Sequence, residues 1–320
     1  MRPAPINSVL RRIQSSTCLS HAYSIWLFTF SDLKTIVVPQ TIFGILNALA
    51  LSLDQQGPLK WLKILLRLPA VAFVVWINLL PFAIDNQRQP KAILEDKHNK
   101  PWRTMPSGRM SETQAKTLML VLYPVAFCAS LWLGGVRQCL TLMVLGYGYN
   151  DLNLADWSWV SRNAINALGF CCFASGALEV ALNAPLSREH RIMLEWLGII
   201  AAVVFTTVQT QDMADQVGDR MRGRRSLPLS VGDGMARWLT ATPMMIWSVV
   251  CPLYWGVSIG LHTLVGALGL GIACRTVAFR SVEADKRTFR LWNAWMACLY
   301  ALPLLASMEL HRQPFASMES

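Results

Sequence analysis

Long apolar stretches, interrupted by short charged segments, dominate the chain. Predominantly apolar runs lie near 35–53, 61–84, 117–135, 138–151, 163–183, 192–211, 237–256, 258–274 and 291–308. A helix needs about 20 apolar residues to cross about 30 Å of hydrocarbon. Each run is therefore predicted as a membrane-spanning helix. That makes about nine, with the fourth short and the seventh and eighth barely separated. The predicted fold is an all-α polytopic membrane bundle: a cytosolic segment over 1–23, one transmembrane domain over 24–309 and a short tail over 310–320. Residues 1–23 carry Arg2, Arg11 and Arg12 but no apolar core. They are not read as a cleaved signal, and the first span is expected to act as an uncleaved anchor.

Composition agrees with the pattern. Of 320 residues, 53% are hydrophobic and 15% charged, with 13 Trp, 12 Phe and 14 Met. Mean hydropathy is +0.36, whereas soluble domains carry about 25% charged residues. This excludes a nucleic-acid-binding domain, a secreted disulfide scaffold and a disordered protein. The eight cysteines form no CxxC pair and mostly lie in apolar runs, so they are expected to be small reduced core residues. The net charge is +10, and its distribution is informative. Placing the connecting segments alternately on two sides gives the N-terminal side a roughly threefold excess of Lys and Arg, which predicts that this side is cytosolic. Gly256 with Gly260, and the run Gly266, Gly269, Gly271, are expected to permit close helix packing.

Carboxylates gather at two span ends. Asp212, Asp215 and Asp219 follow the sixth span at spacings of three and four, which puts them on one helical face. Like charges stacked in this way repel unless a cation lies among them. Mg²⁺ suits such a place, because it takes one or two carboxylates together with substrate phosphates. Arg220, Arg222, Arg224 and Arg225 follow at once, and guanidinium groups grip phosphate bidentately. The plainer alternative is a solvated loop of mixed charge that fixes topology. A second cluster after the second span contains Asp85, Asn86, Glu95, Asp96, Lys97, Asn99, Lys100, Arg103 and Arg109. Alternation places both clusters on one side of the membrane, as a split clamp for a metal and a diphosphate.

These residues resemble the UbiA superfamily of intramembrane prenyltransferases, whose members have nine helices and Asp-rich motifs after the second and sixth. DxxDxxxD at Asp212, Asp215 and Asp219, with Gly218 before the last acid, is similar to the second motif. Asn99–Pro101 (NKP) and Gly108 resemble the close of the first. The first motif departs from the family pattern: Asn86 is followed by Gln87 and no acid occurs until Glu95 and Asp96, so one regularly spaced Asp is missing. The spacing leaves open which of Asp85, Asn86 and Glu95 touches metal and favours Asp96. NKPWR, PSGR, FTFSDLKT at Phe28–Thr35 and YND at Tyr149–Asp151 resemble a fungal branch that includes the terpene cyclases of the fumagillin and cyathane kinds.

The resemblance implies a Mg²⁺-dependent enzyme of the endoplasmic reticulum that ionises a C15 or C20 prenyl diphosphate and cyclises it. The alternatives are prenyl transfer to an aromatic or other acceptor and, more remotely, transport of an anionic metabolite. The expected metal ligands are Glu95, Asp96, Asp212, Asp215 and Asp219. Asn86, Lys100, Arg103, Arg222 and Lys34 are expected on the diphosphate, and Tyr147, Asn150 and Asp151 in the pocket. Lys34 is as readily explained by snorkelling to the interface, and the aromatics by interfacial anchoring. No Asp-Asp dipeptide occurs, so the metal motifs of soluble terpene synthases are missing. The five histidines are scattered, and His98 is expected at the surface. The expected partners are the prenyl diphosphate and the lipid bilayer, with no protein partner.

Overall fold

A computed structural model describes residues 17–53 and 58–316. The described residues are mostly helical and contain no strand. The first apolar run is reached through helix α1 (Thr17–Thr29), a 3₁₀ turn (Phe30–Asp32), a π turn (Leu33–Val37) and α2 (Val38–Leu53). Next come α3 (Pro58–Leu66), α4 (Leu68–Arg88), α5 (Pro90–Asn99), α6 (Glu112–Leu133) and α7 (Val136–Asn150). A single turn, α8 (Leu154–Trp157), leads to α9 (Trp159–Leu182) and α10 (Arg191–Thr207). Another 3₁₀ turn (Val208–Gln211) opens α11 (Asp212–Arg222), followed by α12 (Leu227–Val231), α13 (Asp233–Trp255), α14 (Ile259–Ala278) and α15 (Val282–Ala316). Residues 17–23 and 310–316, expected outside the transmembrane domain, are thus continuous with its helices.

Among the described residues, seven helical stretches are long and apolar enough to cross a membrane. Helices α7 and α13 occupy the other two predicted positions. The 15 residues of α7 reach only about 22 Å at 1.5 Å per residue, and Trp, Thr, Pro and Tyr residues dilute the apolar character of α13. Each makes contacts near both of its ends. One end of α7 approaches Gly176 through Gly135, and at the other Asn150 meets Asn86. Helix α13 is tied to Gln216 through Asp233 at one end and reaches Glu195 through Tyr254 at the other.

The core is a continuous apolar cluster built around Phe43, Phe170, Trp196, Trp292, Trp295 and Tyr300, contributed by α2, α9, α10 and α15. The glycines behave differently from the expectation. Gly256 is the left-handed cap of α13, with φ +60°, and Gly260 and Gly266 face open space. Only Gly269 of that set serves packing: a Cβ there would lie 1.8 Å from Ser248 Oγ. All eight cysteines are free. Cys139 and Cys251 are buried, but Cys18, Cys128 and Cys274 lie on the outer surface rather than in the core.

Two interruptions in the helices position the site. Gln89 adopts an extended backbone, φ −64° and ψ 138°, as a residue before proline does. Helix α4 therefore stops, and Pro90 starts α5 in a new direction. The apparent gap in the first motif is this kink, which brings Asn86 and Asp96 back to one place. A 3₁₀ turn over Val208–Gln211 interrupts the α-helix just before Asp212 of the second motif. Such irregular turns inside long helices often mark functional places.

Candidate active site

The two motif helices, α5 and α11, pack against each other. They come close at Gly218, where an added Cβ would lie 2.2 Å from Asn99 Nδ2. Beside this crossing opens a cavity of about 870 Å³. Asp32, Glu95, Asp96 and Asp215 line it, together with Lys100, Arg103, Arg162 and Arg224. Acids and bases from both motifs thus share one mouth, although 119 positions separate Asp96 from Asp215.

An apolar chamber of about 470 Å³ continues inward from the mouth. Its walls include Leu79, Phe82, Leu142, Phe170 and Phe173. Ile36, Leu79, Phe82, Tyr149, Asn166 and Phe170 line both spaces.

Nearly every acid near the mouth has an arginine partner. Arg103 donates to both carboxylate oxygens of Asp96 at 3.0 and 2.9 Å, and to the Ser31 hydroxyl at 3.0 Å. Arg162, at the start of α9, donates to Asp212 at 2.8 Å and also to the Tyr149 hydroxyl. Arg224 bridges Glu95, Asp156 and Asp219, each at 3.0 Å. Arg222 joins Asp156 at 3.1 Å and Glu95 at 3.3 Å. Burial opposes the charge on Arg103, but Asp96 and then Asp32 outweigh it and hold the guanidinium above its ordinary pKa. Burial and Arg162 oppose the charge on Arg224, and Glu95, Tyr149 and Asp219 raise it again.

The face shared by Asp212, Asp215 and Asp219 is therefore not a bare triple ligand. Its repulsion is relieved by Arg162 and Arg224, and Asp215 alone of the three lines the cavity. Asp215 makes no hydrogen bond or ion pair with any described residue. Among the described residues, no three His, Cys, Asp or Glu side chains come close enough to hold a metal by themselves. The arrangement still fits Mg²⁺, which keeps several waters and takes only one or two carboxylates with substrate phosphates. Asp215 is unpaired at the mouth, Asp96 shares the cavity with it, and one oxygen of buried Asp219 has no partner.

The other expected residues are distributed as follows. Lys100, Arg103 and Asn86 line the cavity, and Asn86 donates to Asn150 at 3.0 Å. Asn150 is buried behind that bond rather than on the cavity wall. Arg222 is buried in the arginine–acid network next to the cavity. Lys34 lies 5.9 Å over the Phe289 ring, within electrostatic reach of Asp32 and Asp215. Asp151 leans outward and is held by Arg88, which also binds buried Asp85. Tyr147 is 57% exposed on the outside of α7 and does not line the cavity. Tyr149, two residues on, is 6% exposed and lines both spaces.

Sequence reasoning missed the roles of Arg162, Asp156 and Asn166. Arg162 carried a signal, since a charge at the edge of an apolar span is a functional candidate by default. Asn166, a polar residue inside the same span, carried the same one. Asp156 carried none, because its partners lie 66 and 68 positions away.

Comparison with known proteins agrees with this geometry. The chain is 28% identical over 295 residues to the somaliensene A/B synthase of Streptomyces somaliensis, covering 88% of this chain and 91% of that protein. It is 27% identical over 239 residues to the fumagillin β-trans-bergamotene synthase of Aspergillus fumigatus, covering 74% and 76%. A diterpene cyclase of Hericium erinaceus is 25% identical over 291 residues, covering 85% and 84%. In three dimensions the chain is similar to a UbiA homologue from Archaeoglobus fulgidus, with a TM-score of 0.55, 12% identity, and coverage of 87% of this chain and 98% of that one. The match to the UbiA prenyltransferase family extends over residues 37–297, and the chain, an all-helical integral membrane protein, belongs to that family.

Proposed function

We propose that this protein is a Mg²⁺-dependent terpene cyclase that ionises a C15 or C20 prenyl diphosphate and cyclises the resulting cation. The observation that carries this proposal is the continuity of the acid- and arginine-lined mouth with the aromatic chamber. A molecule with an anionic head and a branched apolar tail fits both halves. Support also comes from the relatives, which include three cyclases, and from Archaeoglobus homologue structures that hold DMAPP or GPP with Mg²⁺.

In this mechanism Asp96 and Asp215 would hold the metal, with Glu95, Asp212 and Asp219 close behind. Bound Mg²⁺ supplies Lewis-acid neutralisation of charge on the diphosphate. Lys100, Arg103 and Arg224 bind the phosphoryl oxygens from the protein side. The C1–O bond breaks with both electrons remaining on oxygen, so diphosphate departs and an allylic cation stays in the chamber. Phe82, Tyr149, Phe170 and Phe173 present aromatic faces to the moving charge. The apolar walls exclude water that would quench the cation. Attack by the chain's own double bonds closes rings, and loss of a proton to the departing diphosphate leaves a hydrocarbon.

We further propose that the mouth opens to the cytosol from the endoplasmic reticulum membrane, as the basic excess at that end implies. Purified protein given farnesyl or geranylgeranyl diphosphate and Mg²⁺, with no acceptor, tests the reaction. A cyclic hydrocarbon formed in step with diphosphate supports cyclisation. Product that forms only after an aromatic acceptor is added would assign acceptor prenylation instead.

A further inference from the structure

Six residues line both the mouth and the chamber, and four of them are apolar. Of the two polar ones, the Tyr149 hydroxyl already accepts a hydrogen bond from Arg162. The other is Asn166. It lies on α9 one turn after Arg162 and one turn before Phe170, a spacing that keeps all three on one face. Its Nδ2 is buried without a partner, and its side chain bonds to no described residue. A desolvated amide left unmatched lowers the stability of the protein, and an unsatisfied group of this kind calls for an explanation. None of its described neighbours supplies one.

A bound ligand does, once rotation of the amide about χ2 turns the buried Nδ2 toward the cavity. A prenyl diphosphate with its phosphates among the arginines and its tail among the aromatics has its ester oxygen, the atom joining C1 to phosphorus, at this boundary. We propose that Asn166 is a catalytic residue whose Nδ2–H donates to that ester oxygen. The assignment rests on the function proposed above and adds a residue to it. When the C1–O bond breaks, the bonding pair stays on that oxygen, so the hydrogen bond strengthens as charge accumulates. Such a contact stabilises the transition state more than the bound substrate. It acts on the oxygen that takes up the bonding pair.

Asn166→Leu removes the donor and keeps the approximate volume, and Asn166→Gln offers a conservative rescue. Three measurements are made on the full chain in detergent with Mg²⁺. They are single-turnover release of diphosphate from the prenyl diphosphate the wild type uses, binding of its non-ionisable thiolo analogue, and thermal stability without ligand. The analogue carries sulfur, a weak acceptor, at the ester position, so its affinity should not sense the amide. Asn166→Leu should release diphosphate about 100-fold more slowly, the scale of one lost oxyanion donor. It should bind the analogue as the wild type does and melt no lower, because an unmatched buried amide has been removed. Asn166→Gln should recover part of the rate.

Full-rate release by Asn166→Leu with an altered product mixture would make Asn166 only a part of the chamber wall and overturn the proposal. Loss of analogue binding together with a lower melting temperature would make it structural and overturn the proposal equally. If the wild type released no diphosphate from any prenyl diphosphate, the function proposed above would fall, and this assignment with it.

Discussion

Replacing Gly218 by alanine adds one methyl group where α11 crosses α5. That methyl would lie 2.2 Å from Asn99 Nδ2, 2.8 Å from its Cγ and 3.0 Å from its Oδ1. Carbon contacts settle at about 3.5–4.0 Å, so the Asn99 side chain must retreat by more than about 1 Å. Two opposed effects set the stability cost. Alanine in place of glycine inside a helix gains about 1 kcal/mol, and overpacking costs about 1–3 kcal/mol. The net change should be a loss of about 0–2 kcal/mol, which shifts the melting temperature by only a few degrees. Activity should respond far more. Asn99 is the last residue of α5, next to Lys100 and one turn from Asp96, and a misplacement of about 1 Å in a catalytic constellation can cost about 100-fold. Diphosphate release by Gly218→Ala should therefore fall about 100-fold while most of the protein stays folded. Asn99→Ala removes the obstructing atoms without removing a cavity-lining group or a hydrogen bond, so the double variant should regain most of the rate. A wild-type rate in Gly218→Ala, or a double variant no faster than the single, would refute the proposed coupling of the two motif helices.

Other perturbations separate the binding of charge from the stability of the fold. Asp215→Asn should abolish diphosphate release with no measurable loss of thermal stability, because Asp215 has no partner to strand. Asp96→Asn should abolish release and also cost about 3–5 kcal/mol, the range for breaking a buried ion pair, because Arg103 loses its carboxylate. Chelation of divalent cations should stop release, and added Mg²⁺ should restore it; release that persists in excess chelator would remove the metal from the mechanism. Tyr149→Phe should slow release through loss of the hydroxyl that accepts from Arg162, while Tyr147→Phe should leave it unchanged. Product analysis by mass spectrometry alongside the rates checks both.

Seven of the span positions were legible because hydrocarbon thickness imposes a length on apolar runs that survives without any tertiary information. The motif acids were legible for a related reason, since Asp212, Asp215 and Asp219 carry helical spacing in their own numbering. Two kinds of information were not accessible. Helix α7 is apolar on nearly every side, so nothing in its pattern set the rotation that turns Tyr149 inward and Tyr147 outward. The arginine partners were hidden by distance along the chain, for Asp212 pairs with a residue 50 positions away and Glu95 with residues 127 and 129 away. The stretched first motif looked like a missing acid until the turn at Gln89–Pro90 showed how Asn86 and Asp96 reach one cavity.

The claim on which the mechanism depends is that Asp96 and Asp215 serve one ligand. Calorimetric titration of inorganic diphosphate in the presence of Mg²⁺, on the wild type, Asp96→Asn, Asp215→Asn and the double variant, tests it directly. A shared site predicts that either substitution removes most of the metal-dependent affinity and that the double variant binds little more weakly than either single. Losses that simply add, as they do for independent positions more than about 7–10 Å apart, would contradict it.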